Sequence, residues 1–380
     1  MKISVVVPIL NPGARELTNM IKSYIIQDYK EKELIIIDGG SVDGTLDVIK
    51  KYEKYIDYWV SEPDGSAFEA LLKGVKKASG DFVSFCGGSD FYSFSAFEYA
   101  AEAYEKEGGD VLYGDFLMGD ERGYRYVKAP EKRLDRLMYA APFGYMGTFI
   151  RKTDMLDVWA EFKGNLGDDT YLFSTLYRRG KKFTRIISDI WLQALSYGGL
   201  EYTRRYEWAT EDRKASYQAI SDSPDLLNRY SEEIEKNYAR RIFELWEKIY
   251  PDGIQDVFDQ VVPKDGRYII FGTGDWGKIA NSDLVGNERH VDYFIDNSKE
   301  KQDKLFCRKK VYSPSSLLEE KNCIVMISSL DYMEDMKEQL EKMNLSESIK
   351  IMVYVDIPYY IYKIIGDKPL EDAYAAKIIR

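Results

Sequence analysis

Short apolar runs alternate with amphipathic segments along the first part of the chain. Residues 3–8, 34–37 and 82–85 are apolar on both faces, as expected of strands in a parallel sheet that helices cover on both sides. Between these runs, apolar residues recur at helical spacing over residues 15–27, 46–55 and 68–78. This alternation predicts an α/β fold with a parallel sheet.

The pattern changes beyond residue 200. Residues 201–263 are rich in Glu, Arg, Tyr and Trp with periodic apolar positions, which predicts a helical connector. From residue 264 the strand and helix alternation returns. We therefore expect a first α/β domain over residues 1–200, a helical connector over 201–263 and a smaller α/β domain over 264–380.

Composition and charge narrow the class of protein. The chain has 45% hydrophobic and 31% charged residues and no membrane-spanning apolar run, and its start lacks signal-peptide features, so we expect a globular cytoplasmic protein. Three scattered cysteines fit a reducing compartment. A net charge of -11 argues against nonspecific nucleic-acid binding. The single histidine, His290, lies far from the acidic residues described next, which excludes histidine catalysis in the first domain.

Two predicted strands run into aspartates that stand beside glycines. Asp38 precedes Gly39, and Asp90 follows Gly88 and one serine. Ligands bind beyond the carboxyl ends of strands in open α/β sheets, so we expect both acids to face one crevice if their strands are close, with Asp64 on a connecting loop. Three carboxylates without clustered lysine repel phosphate, but Mg²⁺ or Mn²⁺ binds carboxylate and diphosphate oxygens together. The cluster of three acids suggests a nucleotide diphosphate that is held through a metal ion. For the stretch around Asp38 taken alone, the alternative is an ordinary strand, turn and capped helix without a ligand.

Residues 1 to about 200 resemble a glycosyltransferase of family 2, whose GT-A fold enzymes move a sugar from a nucleotide-sugar donor. The order and spacing of the matching motifs make the resemblance specific. In chain order, the matches are Pro8 and Asn11, Asp38-Gly39-Gly40-Ser41 with Asp43 and Thr45, Ser61-Glu62-Pro63-Asp64, Lys73-Gly74, Gly80-Asp81, Ser89-Asp90, Tyr113-Gly114-Asp115, Asp168-Asp169 and Tyr197-Gly198-Gly199.

The resemblance implies a role for each of these acids. Asp38 would bond the base or ribose of the donor, and Asp64 would line the nucleotide pocket. Asp90 would be the last acid of a D-x-D-like motif that holds Mg²⁺ or Mn²⁺. Asp169 would be the general base that takes the proton of the acceptor hydroxyl in a single inverting displacement. Asp168 is the other candidate base, and capping of a helix over residues 170–178 is the alternative role of Asp169.

Four further residues complete the donor-binding set that the resemblance implies, namely Pro8, Asn11, Lys73 and Ser89. Ser89 stands where the family usually has a second acid, so weak or absent metal dependence is an alternative.

A second departure is the pair Tyr145-Met146, which replaces the usual His-Gln pair. Changed contacts to the donor sugar or the acceptor would follow, and loss of activity is the alternative.

The smaller domain opens with a glycine pattern that follows a predicted strand. Gly272, Gly274 and Gly277 fit G-x-G-x-x-G, and Asp296 follows the next strand at the spacing of a ribose-binding acid. This part of the chain resembles small Rossmann-like modules found beside sugar-transfer enzymes. Asp275 within the loop would oppose a pyrophosphate, and no redox constellation is evident nearby. We therefore expect a structural or dimerising module without NAD, and a bound dinucleotide is the alternative.

These observations favour an inverting glycosyltransferase that uses a UDP-sugar in surface polysaccharide synthesis. The acceptor would be a saccharide or a lipid-linked saccharide, with peripheral contact to the inner membrane face and a homo-oligomer as further expectations. Two rival interpretations are a non-catalytic sugar-nucleotide-binding or scaffolding subunit and an NAD-dependent sugar-modifying enzyme.

Overall fold

Strands and helices alternate through the first part of the chain in the predicted order, and the α/β class is confirmed. The strands are β1 (Ile3–Ile9), β2 (Lys32–Asp38), β3 (Tyr58–Ser61), β4 (Phe82–Phe85), β5 (Phe91–Tyr92), β6 (Val111–Tyr113), β7 (Phe116–Asp120), β8 (Gly123–Val127), β9 (Thr148–Arg151), β10 (Phe183–Arg185) and β11 (Gln193–Leu195). The helices are α1 (Ala14–Ile25), α2 (Thr45–Tyr52), α3 (Ala67–Lys77), α4 (Ala96–Glu107), α5 (Lys152–Trp159), α6 (Asp168–Arg178) and α7 (Arg205–Ile220).

The computed structural model describes residues 1–120, 123–140, 143–164, 166–195, 205–330 and 332–377. The chain divides into two units, Met1–Tyr238 and Ala239–Ile379. The Tyr197-Gly198-Gly199 motif lies outside the described residues. The domain boundaries drawn from the sequence stay predictions.

Successive residues of the first strand pack into two different apolar cores. Val6 packs in one core with Val75 of α3, whereas Val7 packs in the other with Met20 of α1. This is the alternation expected of a strand that helices cover on both faces. A Cβ atom on Gly74 would lie 2.3 Å from Val6 Cγ1, so glycine at this position lets α3 approach the sheet.

The main sheet of the first unit has the strand order β10-β6-β9-β4-β1-β2-β3. β1, β2, β3 and β4 are parallel as predicted, but β9 runs antiparallel to both β4 and β6. The parallel sheet inferred from the segments up to residue 85 is confirmed for β1 to β4, but the sheet as a whole is mixed, because β9 runs opposite to both of its neighbours. A second sheet with the order β5-β11-β7-β8 begins directly after Asp90.

Helices occupy most of the stretch predicted as a connector, namely α7, α8 (Pro224–Ile249) and α9 (Pro251–Val261). The later strands are β12 (Arg267–Phe271), β13 (His290–Ile295), β14 (Leu305–Phe306), β15 (Lys309–Tyr312), β16 (Ile324–Ile327) and β17 (Lys350–Val353). The later helices are α10 (Asp275–Gly286), α11 (Met333–Lys342), α12 (Ile357–Ile365) and α13 (Lys368–Ala375). The sheet order is β14-β15-β13-β12-β16-β17, with all pairs parallel except β14 with β15. This parallel arrangement confirms the Rossmann-like topology of the second unit.

Candidate active site

The loops that follow β1, β2 and β4 meet at one edge of the main sheet. β1 lies between β2 and β4, so the carboxyl ends of these parallel strands are neighbours. Asp38 is the last residue of β2 and pairs with Ile9 of β1. A Cβ atom on Gly39, the residue after Asp38, would lie 3.5 Å from Asp64 Oδ2. A Cβ atom on Gly88 would lie 2.7 Å from Ile9 Cγ2. The structure therefore brings Asp38, Asp64 and the loop that ends at Asp90 to the same edge.

Asp38 is fully buried, and its carboxylate accepts hydrogen bonds that hold the loop after β2 in place. Its Oδ2 accepts hydrogen bonds from the Ser41 backbone N–H at 3.0 Å and from Ser61 Oγ at 2.5 Å, and its Oδ1 accepts one from Ser41 Oγ. Asn11 joins this loop from the other side, because its backbone N–H donates to Ser41 Oγ at 2.7 Å and its side chain accepts from the Val42 N–H at 2.8 Å. These bonds join the loop after β1 to the loop after β2. The joined loops form one rim, the Asp38 rim, which contains Asn11, Asp38, Ser41 and Val42.

Two further predicted donor-binding residues flank this rim. Pro8 lies within β1 opposite Ile37 of β2, and it is half-buried. Ser89 is also half-buried and directly precedes Asp90.

Lys73 of α3 neutralises part of the acidic cluster. Its Nζ lies 2.5 Å from Asp64 Oδ1, 3.0 Å from Glu62 Oε1 and 3.5 Å from Glu69 Oε1. The hydrogen bond to Asp64, followed by that to Glu62, raises the pKa of Lys73, which keeps it charged. The resemblance placed Lys73 among the donor-binding residues, but it did not predict that Lys73 pairs with Asp64 and Glu62. Helical spacing places Lys73 four residues after Glu69, but its distance to Asp64 depends on the loop between β3 and α3.

Asp90 is enclosed by the loop that follows β4. It is 7% exposed and accepts a 3.0 Å hydrogen bond from the Gly87 backbone N–H. A Cβ atom on Gly87 would lie 2.6 Å from Asp90 Oδ2, so a side chain there would displace the carboxylate. Across the described ranges, no group of three or more His, Cys, Asp and Glu side chains is arranged to hold a metal ion. A divalent cation at Asp90 would take most of its ligands from diphosphate and water, as Mg²⁺ commonly does.

The two acids at the start of α6 have different surroundings. Asp168 is 6% exposed and accepts a hydrogen bond from the Tyr145 hydroxyl. Burial raises the pKa of Asp168 to about 6, and the charge of Asp212 acts in the same direction. Asp169 is half-buried, and a Cβ atom on Gly144 would lie 3.1 Å from its Oδ2. Of the two candidate bases, both of which stand in the first turn of α6, Asp169 is the more accessible.

The segment beside Asp169 is fastened to the end of β4, the strand that leads to Asp90. The rings of Tyr145 and Phe85 lie 4.6 Å apart in an edge contact. Gln193, which is 1% exposed, donates to the Phe85 carbonyl at 2.9 Å and accepts from the Gly147 N–H at 2.9 Å. These contacts hold the Asp169 region against the strand that carries the Asp90 loop. Gln193 could not be predicted from the sequence, because nothing local distinguishes it from any other strand residue.

The glycine pattern of the second unit forms the predicted strand, loop and helix. Gly272 has φ +115°, and a Cβ atom on Gly277 would lie 2.3 Å from the Gly272 carbonyl oxygen. Asp296 accepts hydrogen bonds from the Thr273 N–H at 3.0 Å, from the Thr273 hydroxyl and from the Ser298 N–H at 2.8 Å. Burial raises the pKa of Asp296, but these bonds outweigh that effect and the net shift is downward. The acid thus supports its own loop, and nucleotide binding at Gly272, Gly274, Gly277 and Asp296 stays a prediction.

Two stretches of the chain match known protein families. Residues 4–166 match the family described as Glycosyl transferase family 2, and residues 264–352 match the one described as C2185-like, N-terminal. A crystal structure of S. aureus TarS 1-349 in complex with UDP-GlcNAc is similar in fold, with a TM-score of 0.51, 22% identity and coverage of 70% of this chain and 82% of that one. The N-terminal part thus has a GT-A-like fold, and its residues 4–166 match the model of glycosyltransferase family 2.

Two relatives illustrate how far the sequence similarity extends. A PGL/p-HBAD biosynthesis glycosyltransferase of Mycobacterium bovis is 30% identical over 156 residues, which cover 39% of this chain and 59% of that protein. An uncharacterized glycosyltransferase of Mycobacterium tuberculosis is 37% identical over 114 residues, or 28% and 43% of the two chains. The chain therefore spans less than two thirds of the length of these curated relatives.

Among the helices that the structure describes, none combines the length and apolar character needed to cross a membrane.

Proposed function

We propose that the N-terminal unit is an inverting glycosyltransferase that moves a sugar from a nucleotide-diphosphate sugar to a hydroxyl group of an acceptor. The observation that carries this proposal is the meeting of the Asp38 rim, Asp64 and the Asp90 loop at the carboxyl edge of the main sheet. Ligands of open α/β sheets bind at such an edge. The match of residues 4–166 to glycosyltransferase family 2 gives independent support.

The proposed reaction is one in-line displacement. The acceptor hydroxyl oxygen forms a bond to the anomeric carbon as the bond from that carbon to the diphosphate oxygen breaks. The hydroxyl proton passes to Asp169, and the nucleoside diphosphate leaves with the electron pair of the broken bond. Enclosure beside Gly144 and attachment to β4 through Gln193 would hold Asp169 in position for this transfer.

The second requirement of the reaction is that the negative charge on the leaving diphosphate is neutralised. Asp90 would hold Mg²⁺ or Mn²⁺, which would neutralise the departing oxygens. Lys73 contributes a positive charge at the same edge, although Asp64, Glu62 and Glu69 surround it. The Asp38 rim, built with Asn11, would receive the base or ribose.

We propose a UDP-sugar as the donor and a saccharide or lipid-linked saccharide as the acceptor, in surface polysaccharide synthesis at the inner membrane face. The similar TarS structure is a complex with UDP-GlcNAc, and the M. bovis relative is named for PGL/p-HBAD biosynthesis. These two proteins support UDP-sugars as the first donors to test and lipid-linked molecules as the first acceptors.

Replacing Asp169 with Asn tests the proposed base directly. Donor hydrolysis and transfer should be followed with UDP-glucose, UDP-N-acetylglucosamine and GDP-mannose against saccharide and lipid-linked acceptors. We expect Asp169→Asn to lower turnover about 10²- to 10⁴-fold, since general-base catalysis contributes on that order. Calorimetry should show unchanged donor affinity. The exposed acid Asp157 on α5 offers a control, and Asp157→Asn should retain wild-type turnover. Turnover of Asp169→Asn within a few-fold of wild type would exclude Asp169 as the base.

A second candidate function is a non-catalytic subunit that binds a sugar nucleotide. Ser89 in place of an acid and the pairing of Asp64 with Lys73 favour it, because both reduce the negative charge available to a cation. Titration with UDP and Mn²⁺, followed by assays on all three donors, separates the two candidates. Binding without turnover on any donor favours the subunit, and turnover favours the enzyme.

An NAD-dependent reaction in the second unit is the third interpretation. The hydrogen bonds of Asp296 to its own loop weigh against ribose binding there. Titration with NADH, followed by its fluorescence, tests this interpretation, and a saturable change abolished by Gly277→Ala would support it.

A further inference from the structure

A cleft of about 500 Å³ opens beside helix α1 and strand β5 of the first unit. This volume falls within the range of roughly 300–1,000 Å³ that is typical of small-molecule sites. Strand β5, which lines the cleft, starts at the residue after Asp90. The cleft and the proposed reaction centre are therefore adjacent in sequence. Most of its wall is apolar, and the apolar lining residues are Ile26, Phe91, Tyr92, Phe94, Ile190 and Trp191.

Two of these apolar side chains face solvent to an unusual degree. Phe94 is 64% exposed and Ile26 is 59% exposed. Single exposed apolar residues are common, but here they border a concave surface lined by further aromatic rings. The rings of Phe91 and Trp191 lie 5.6 Å apart in an edge contact, which fixes part of the wall. An apolar chain in this cleft would remove both exposed side chains from water.

The cleft also contains a buried hydroxyl group that lacks a partner. Ser93 is 5% exposed, and its Oγ forms no hydrogen bond with any residue in the described ranges. The backbone of Ser93 is held on both sides, because its N–H donates to the Leu192 carbonyl at 3.0 Å and its carbonyl accepts from Gln27 at 2.6 Å. A buried hydroxyl without a partner costs free energy. Less than 1 Å² of Ser93 Oγ is accessible, so a polar atom of a ligand would meet it only after the Ser93 side chain rotates towards the cleft.

Lys22 supplies a positive charge at the same cleft. It is exposed, and within the part of the chain that the structure covers it forms no ion pair. Lys22 is the one charged side chain among the described residues that line the cleft, so the lining itself carries a positive charge although the protein as a whole carries a net charge of -11. This combination complements a molecule with an apolar chain and a negatively charged head group.

We propose that this cleft is a binding site for one molecule of an anionic amphiphile. The apolar chain lies against Phe94, Ile26 and Trp191, and the head group lies near Lys22 and the Ser93 hydroxyl. A single bound molecule explains the concave apolar wall, the buried hydroxyl and the charge together. The site goes beyond the proposed transfer reaction, and binding to it is measured without donor or acceptor, so each proposal can fail while the other stands.

The test uses the full chain and dodecyl phosphate below its critical micelle concentration, followed by calorimetry. We expect saturable binding with one molecule per chain, weaker binding of dodecyl maltoside and no comparable binding of inorganic phosphate. Phe94→Asp should lower the affinity for dodecyl phosphate about tenfold or more, the order expected when contact with one buried aromatic side chain is lost. Because Phe94 is exposed, this variant should fold. Lys22→Gln should weaken binding and reduce its dependence on salt.

Two further variants separate a ligand site from a general surface effect. Ser93→Ala should lower affinity for dodecyl phosphate while leaving the free energy of unfolding equal to or above that of wild type, because it removes the unpartnered hydroxyl. Leu305 in the second unit is 75% exposed, and Leu305→Asp should leave binding unchanged.

Three results would overturn the proposal. The first is equal affinity of wild type and Phe94→Asp for dodecyl phosphate. The second is binding to phosphatidylglycerol vesicles without binding of the monomeric amphiphile, which would indicate a membrane-surface contact. The third is a wild-type dimer that Phe94→Asp dissociates in sedimentation, which would assign the cleft to a second copy of the chain.

Discussion

Tyr145 donates a hydrogen bond to Asp168, the first residue of helix α6. The two residues lie 23 positions apart in the chain; Asp168 is buried, and Tyr145 is partly buried and packs against an apolar core of the first unit. Tyr145 and Met146 occupy the positions where the resemblance to family 2 implies a His-Gln pair. The bond therefore gives this departure a structural role, since it positions the turn that presents Asp169.

Removing the Tyr145 hydroxyl should destabilise the first unit. Tyr145→Phe leaves a buried carboxyl group without this donor, which we expect to lower the free energy of unfolding by about 1–3 kcal/mol. Urea denaturation at about pH 7.5, followed by signals from the first unit, measures the change. Tyr55 is 40% exposed, and Tyr55→Phe is the matched control with an expected change near zero. An equal effect of both substitutions would contradict a specific role for the Tyr145 bond.

Asp168 should make the stability of the first unit depend on pH. Its pKa is raised from the ordinary aspartate value of 3.8 to about 6 in the folded protein, because burial disfavours the charged form. Between these values the folded state keeps a proton that the unfolded state has lost, so stability falls as pH rises from about 4 through about 6. Two pKa units correspond to about 3 kcal/mol, which is an upper bound for this effect.

The Asp168→Asn variant isolates that contribution. Asparagine keeps the size of the side chain and an oxygen acceptor for the Tyr145 hydroxyl, but it does not titrate. We expect the stability of wild type relative to Asp168→Asn to decrease with rising pH across the window, as measured by urea midpoints at several pH values. The exposed Asp157→Asn is again the control. A stability difference that is independent of pH would show that burial does not raise the pKa of Asp168.

Local sequence signals predicted the strands and the placing of acids at their ends. The apolar runs that became β1, β2 and β4 are short, rich in β-branched or aromatic residues and bounded by glycine or polar residues, so their type follows from nearby residues alone. Asp38 and Asp90 could be placed at one sheet edge because parallel strands end on the same side. These features depend on a few consecutive residues.

Partners that lie far apart in the chain were not predictable in the same way. The bonds of Asp38 to Ser61 and of Gln193 to β4 depend on how loops pack once the sheet has formed. The antiparallel entry of β9 is a further example, since an apolar run does not reveal strand direction. The mixed sheet and the contacts of Lys73 with the acids around it could therefore not be predicted from the sequence.

Lys73 should matter for binding of the donor. Lys73→Gln leaves Glu62, Asp64 and Glu69 without their shared cation, so the edge of the sheet becomes more negative and repels a diphosphate. We expect the Kd of a bound UDP-sugar to rise about tenfold and to become more dependent on Mg²⁺. Calorimetry with and without Mg²⁺ measures both effects. Lys76 is exposed on the same helix, and Lys76→Gln should bind like wild type.

Gly88 should be required for the position of the Asp90 loop. Its Cβ atom would lie 2.6 Å from Pro12 Cβ and 2.7 Å from Ile9 Cγ2, so Gly88→Ala forces the loop away from the end of β1. We expect a loss of about 1–3 kcal/mol in the free energy of unfolding, as is usual for an overpacked site, together with weaker binding of the donor. Urea denaturation and calorimetry measure the two effects.

Gly286 provides the control for this substitution, because a Cβ atom there meets no other atom within 4 Å. It ends helix α10 in the second unit, where alanine is a better helix former than glycine, so Gly286→Ala should be neutral or slightly stabilising. Wild-type donor affinity of Gly88→Ala would contradict this prediction. The contact between the Asp90 loop and β1 would then not contribute to donor binding, and the meeting of the loops after β1, β2 and β4 would not support a donor site.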